Sequence, residues 1–298
     1  MGDLKRAKRR NIAAAILRSS AAIAMVVLAG HAQAGQGAVK SAYHLFNPTP
    51  RELMREMSTD RPDTTESPYT VDAGHVQIEM SVVDFTRDDD DDSGVRTDQF
   101  VFAPMNLKMG LLHNVDVQFV LDPFVRIETD ADGGDGSDAS GFGSAQLRVK
   151  FNVWGNDGGD TALAIMPFVQ FPTASNDVGG NDHVEGGLIV PLAVALPGEW
   201  SLGLMAEVDV VRDDANEGYG IEFLHTAALG HPIVGDLLGY VEYIGVAPHQ
   251  TGATYTATVG GGLTYAVSDD VQLDVGLNVG ISEGADDFTV FTGLSWRF

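Results

Sequence analysis

The chemistry this chain offers lies in charged residues set on otherwise apolar strands. Glu79, Lys108, Asp116, Arg148, Lys150, Glu185, Glu207, Asp209, Glu222, Glu242, Asp274 and Arg297 each stand on the polar phase of a segment whose alternate positions are greasy. Successive strand side chains point to opposite faces, so these charges share the face turned away from the apolar one. In lipid each would cost about 2 to 4 kcal/mol at the midplane for Lys or Arg, and less for Asp or Glu. The charged face is therefore expected to look into a lumen. Following strand direction, Glu185, Glu207, Asp209 and Glu222 come near one mouth, while Lys108, Arg148, Lys150 and Arg297 lie deeper. An acidic vestibule above a basic strip either polarises a water-filled path or forms an internal salt-bridge network that fills a narrow barrel.

Catalytic constellations are missing. A barrel phospholipase needs a His and a Ser two apart on one strand face, and His75, His113, His183, His225, His231 and His249 have no such neighbour. Neither HExxH nor GxSxG occurs. The absence of cysteine removes thiol catalysis, disulfides and thiolate metal sites together. Residues 133–138 fit one copy of the calcium-binding Gly-Gly-x-Gly-x-Asp repeat, but a single copy cannot stack to share an ion between turns. The chain reads as a non-enzyme with no cofactor and no metal site.

The elements that must position the charges are strands. The last eleven residues alternate Phe288, Val290, Thr292, Leu294, Trp296 and Phe298 against Thr289, Phe291, Gly293, Ser295 and Arg297. An apolar face with aromatics at both ends suits the closing strand of a transmembrane barrel, with Trp296 and Phe298 as its assembly signal. The alternative is an edge strand of a soluble sandwich. Against it, the polar faces of 254–267 and 270–282 are Gly, Thr, Ser and Asn rather than Lys and Glu, as a curved wall around a lumen requires. Period-two segments are expected at 75–86, 97–110, 114–127, 141–154, 161–172, 184–196, 200–212, 219–231, 236–247, 254–267, 270–282 and 287–298, giving a 12-stranded antiparallel outer-membrane β-barrel over 74–298. Short turns alternate with longer acidic loops, and the acid runs Asp88–Asp92 and Asp130–Asp138 read as loops. Both chain ends fall on the short-turn side, which is periplasmic in such barrels.

Residues 1–34 have the basic, apolar and small-residue order of a secretory signal peptide with cleavage near Ala34. Its removal takes 18 basic against 42 acidic residues to 12 against 41, a net charge near −29. Such acidity argues against nucleic acid as a partner, because phosphate binding depends on Lys and Arg. Residues 35–73 show no strand alternation and form a periplasmic lead-in or plug, with Asp60, Arg61, Asp63 and Glu66 as its plug or lip charges.

Within that lead-in, Ser58-Thr-Asp-Arg-Pro-Asp63 and Thr65-Glu-Ser-Pro68, followed by Val71-x-x-Gly74-x-x-Gln77-x-Glu79, carry a resemblance to the outer-membrane family named for the MetA-pathway of phenol degradation, also called transporter family proteins. The resemblance implies a barrel with a transport role and no catalytic residues. The expected function is a passive channel or facilitator for small solutes, tilted by the resemblance toward aromatic or hydrophobic ones. Expected partners are outer-membrane lipid and lipopolysaccharide, the barrel assembly machinery and a small-molecule solute. The competing reading is a non-transport structural or surface-interaction barrel with a filled lumen.

Overall fold

From Val76 to Arg297 the alternation of the sequence becomes a wall. The structure, a computed structural model, describes residues 40–90, 94–131, 136–180, 182–213, 218–248 and 254–298. The expected signal peptide, residues 1–34, and the start of the lead-in lie outside the described residues, as does part of the candidate calcium loop. Strands run in the order β1 (Val76–Asp90), β2 (Val95–Phe102), β3 (Met105–Leu112), β4 (Val115–Leu121), β5 (Phe124–Ala131), β6 (Ser137–Gly141), β7 (Ala145–Trp154), β8 (Thr161–Phe171), β9 (Glu185–Ala195), β10 (Ser201–Asp213), β11 (Gly218–Val234), β12 (Leu237–Ala247), β13 (Thr256–Ser268), β14 (Val271–Gly280) and β15 (Phe288–Arg297). All pair antiparallel in one sheet, and β15 pairs with β1 to close it. Because β2–β3, β4–β5 and β6–β7 each make a single passage, the barrel has 12 crossings. Closure satisfies the backbone without a free edge in lipid.

Burial is inverted relative to a water-soluble protein. In β14, Leu273, Val275, Leu277 and Val279 are exposed, while Asp274 and Gly276 between them are buried. Likewise β15 bares Val290 and Trp296 and buries Phe291, Gly293, Ser295 and Arg297. Apolar atoms left bare over a whole face are stable only against lipid. Exposed Trp154, Trp200, Tyr265, Trp296 and Phe298 lie near the short-turn ends of their strands, and Phe171, Tyr219, Phe223, Tyr243 and Tyr255 toward the other. These are the two aromatic girdles of an outer-membrane barrel.

Three expected continuous strands need correction. Segments 97–110, 114–127 and 141–154 are each interrupted, at residues 103–104, 122–123 and 142–144. Pro104 and Pro123 have no N–H to give the ladder, and Ala103 takes a left-handed φ of 53°. Gly143 passes so near Asp122 that a Cβ there would lie 2.5 Å from the Asp122 Cβ. Below the breaks β1 pairs with β3, β3 with β4 and β4 with β7; above them β1 pairs with β2, β2 with β5 and β5 with β6. A register shift in β1 between Ser81 and Val83 sits beside the first break.

The acid runs also differ from expectation, since Asp88–Asp90 belong to β1, Asp130 to β5 and Asp138 to β6. A strand rising clear of lipid needs no apolar face, and cross-strand pairs offset the charge there: Arg87 with Asp98 at 2.7 Å, Arg96 with Asp89, and Arg126 with Asp138 at 2.7 Å. The edge left by β6 is covered by the 3-10 turn Asn176–Val178, where Ser175 N donates to Phe142 O at 2.8 Å and Phe142 N to Ser175 Oγ at 3.1 Å.

The chain end seals the barrel. Phe298 N donates to Val76 O at 2.9 Å and Val76 N to Phe298 O at 3.0 Å, with the Phe298 ring 5.1 Å from that of Trp296 at the lipid boundary. Replacing Phe298 with Asp puts an anion in that girdle. Outer-membrane fractions should then lose the folded, heat-modifiable form; unchanged migration would count against the role of the terminal aromatic.

Candidate functional site

The lead-in contains two prolines and four ionisable residues between Ser58 and Pro68, so it cannot be a lipid-facing strand. It makes one 3-10 turn, Arg51–Leu53, at the short-turn mouth. There Asp270, in the β13–β14 turn, pairs with Arg51 and with Arg297 Nε at 2.9 Å. Burial alone would raise the Asp270 pKa, but the two guanidiniums outweigh it and hold the carboxyl below its usual range. Arg55 pairs with Asp72 at 3.1 Å and donates to His113 O, which ties the two ends of the excursion together.

Between those ends the segment climbs inside the barrel, and inward wall residues receive it at each step. Gln77 Nε2 donates to Ser58 O at 2.8 Å, and Gln272 Nε2 to Thr59 Oγ1 at 3.1 Å. Asp60 is buried between two ammoniums: Lys150 Nζ lies 2.9 Å from both its oxygens, and Lys108 bridges it to Glu79. The Arg61 guanidinium forms a fork on Asp274, at 2.8 and 3.2 Å. That fork needs Gly293 beneath it, because a Cβ there would lie 2.4 Å from Arg61 Nη2. Glu242 accepts from Thr64 N at 2.9 Å, Thr65 N at 2.7 Å and Thr65 Oγ1 at 2.6 Å, and Asp63 lies within reach of its charge. At the tip Glu66 pairs with Arg148. On the descending limb Pro68 O accepts from Asn152 Nδ2, while Thr70 N donates to Asn156 Oδ1 and Val71 N to Asp116 Oδ2.

The strand residues among these wall partners are inward by parity. The structure brings Glu79, Lys108, Asp116, Arg148, Lys150, Glu242 and Asp274 onto the plug, and puts Arg297 at the periplasmic lip, donating to Arg55 O at 2.8 Å. Glu185, Glu207, Asp209 and Glu222 lie above the tip on β9, β10 and β11, and Asp209 is directly opposite Glu222 across the ladder. Like charges facing each other across strands are unfavourable. Here they occupy inward positions on neighbouring strands above the tip.

An apolar strip escaped the sequence reading. Met166, Ile189 and Met205 are buried together, with Phe168 and Leu224 packed against them, all on inward positions of β8–β11. Glu66 N approaches Met205 Sδ at 3.4 Å, so the strip adjoins the plug tip. Its signal was the loss of alternation in Ala162-Leu-Ala-Ile-Met-Pro-Phe-Val169, where both strand faces are apolar. A space of about 160 Å³ remains beside the tip, against Asp60, Glu66, Met105 and Arg148.

The pattern of a barrel with this lead-in decides the family: residues 59–298 match the family described as Putative MetA-pathway of phenol degradation. The chain belongs to it. The match begins at Thr59, so it includes the luminal excursion as well as the wall. Among solved structures, the COG4313 outer membrane channel from Pseudomonas putida F1 is similar at 13% identity and a TM-score of 0.61, covering 81% of this chain and 100% of that one. The CymD monoaromatic hydrocarbon channel matches at 11% identity and a TM-score of 0.43, over 75% of this chain and 87% of that one. At these identities the likeness is one of fold. No curated protein matches in sequence.

Proposed function

We propose that this family member is a passive outer-membrane channel for small solutes, gated by its own lead-in segment. The observation that carries the reading is how the lead-in is held inside the barrel: ion pairs and hydrogen bonds fasten it at discrete points, among them Asp60 to Lys108 and Lys150, Arg61 to Asp274 and Glu66 to Arg148. Polar latches of this kind contribute little net stability but fix one arrangement, and water can replace them when the segment moves. Sparingly polar or aromatic solutes are favoured by the apolar strip beside the tip and by the family description, which names phenol degradation. On this reading the protein sits among outer-membrane lipid and lipopolysaccharide after export and insertion by the barrel assembly machinery.

A second reading, a filled barrel that passes nothing, draws on the same ion pairs. Single-channel recording in a planar bilayer separates the two. Carboxylates lining a mouth raise the local concentration of cations, so the open channel should prefer cations weakly, and Glu207→Gln with Glu222→Gln should shift its reversal potential toward zero. Silent bilayers, or variants that change only thermal stability, favour the filled barrel.

A further inference from the structure

A file of side chains descends the inner wall from the outer mouth to the plug. Arg212 N, near the upper end of β10, donates to Glu185 Oε1 at 2.8 Å. Gln170 Nε2 on β8 donates to Glu185 Oε2 at 3.0 Å, and Gln146 Nε2 on β7 donates to Gln170 Oε1 at 2.7 Å. Arg148 then donates to Gln146 Oε1 through Nε at 2.9 Å and Nη2 at 2.7 Å, and through Nη1 to Glu66 Oε1 of the plug. From Glu66 to Glu185 each amide accepts from below and donates upward. In such a chain each hydrogen bond polarises the next.

Gln146 decides where the Arg148 fork points. With two of its nitrogens on Gln146, the guanidinium presents the third to Glu66 and rests over the Phe168 ring at 5.9 Å. Glu207 and Asp209 stand on inward positions of β10, the strand that carries Met205 beside Glu66. Arg148 thus joins the plug, through Nη1 on Glu66, to the file above it, through Nε and Nη2 on Gln146.

We infer that Glu185, Gln170, Gln146 and Arg148 couple the outer mouth to the plug, so that a solute O–H or N–H donor taking over the Glu185 carboxylate releases Glu66 below. The inference rests on the plug-gated reading but is tested without conductance. The chain has no cysteine, so Ser67→Cys places a single thiol behind the plug tip. Labelling of that thiol by a membrane-impermeant maleimide, in full-length protein reconstituted in liposomes, reports how often the tip leaves. Heat-modifiable migration confirms that each variant has folded.

Gln146→Leu and, at the far end of the file, Glu185→Ala should each speed labelling about tenfold, the change that about 1.4 kcal/mol produces. The double variant should label no faster than the faster single one, because the two act in series. Faster labelling with Gln146→Leu alone would mean that Gln146 acts only locally and would overturn the coupling. Independent, multiplying effects, or no effect from either, would overturn it too. Labelling that follows the expected pattern while bilayers stay silent would remove the channel reading and leave the coupling standing.

Discussion

Deleting residues 41–69 should raise the conductance of the reconstituted barrel several-fold while leaving the wall folded. The wall is held by its own backbone ladders and by the β15–β1 closure, none of which passes through the lead-in. Lead-in and wall meet through side-chain hydrogen bonds and ion pairs, and through a backbone bond from Leu45 N to Leu111 O at 2.8 Å, which water can take over once the segment leaves. The reverse experiment is a tether. A Cβ at Gly203 would lie 3.8 Å from the Thr65 Cβ, within the range of about 3.5 to 4.5 Å that a disulfide spans. Thr65→Cys with Gly203→Cys should therefore hold the plug in when oxidised and restore wild-type conductance on reduction. Equal conductance in the deletion, the oxidised tether and the wild type would show that the segment does not obstruct the path.

Asp60→Asn should have the second-largest effect, with plug release as its expected outcome rather than unfolding. Asp60 is the counter-charge to both Lys108 and Lys150, and the Lys150 side chain is fully buried. Removing one partner of a buried pair costs about 3 to 5 kcal/mol, because the remaining charge is left uncompensated. Lys108 keeps Glu79, whereas Lys150 keeps, among the described residues, the more distant Glu66 carboxylate at 4.0 Å. The cheapest response is to let the plug leave and let water solvate both ammoniums. Conductance should approach that of the deletion, with the melting temperature of the wall shifted by no more than a few degrees. A large loss of thermal stability at unchanged conductance would make the segment an integral part of a filled barrel.

These experiments address what single residues do, and the sequence spoke to that only in part. Alternation in Val271–Gly280 and Phe288–Arg297 was enough to name the barrel and its two faces, because lipid penalises a misplaced charge at every second position. Short turns such as Asp269–Asp270 and the aromatic ends of strands set its orientation by the same local logic. Where local rules conflict, the tertiary structure decided. Pro104, Pro123 and Gly143 were visible breakers, yet only the shift of pairing from β3 to β2 along β1 shows that the wall divides there. The acids of Asp88–Asp90 could join a strand because that strand rises past the lipid, a height no period reveals.

Least legible was the luminal site itself. Parity put Lys150 and Asp274 on the inner face, and composition marked Asp60 and Arg61 as unfit for lipid. Their pairing spans 90 residues from Asp60 to Lys150 and 213 from Arg61 to Asp274. A hydrogen bond or ion pair at such separation leaves no periodic trace, since it depends on where a closed wall brings two side chains together. The sequence by itself determined a lipid-facing barrel with charges inside and a lead-in foreign to lipid. Only the tertiary structure decided that the lead-in enters the lumen, because burying its charges becomes affordable only where the wall supplies a counter-charge at each step.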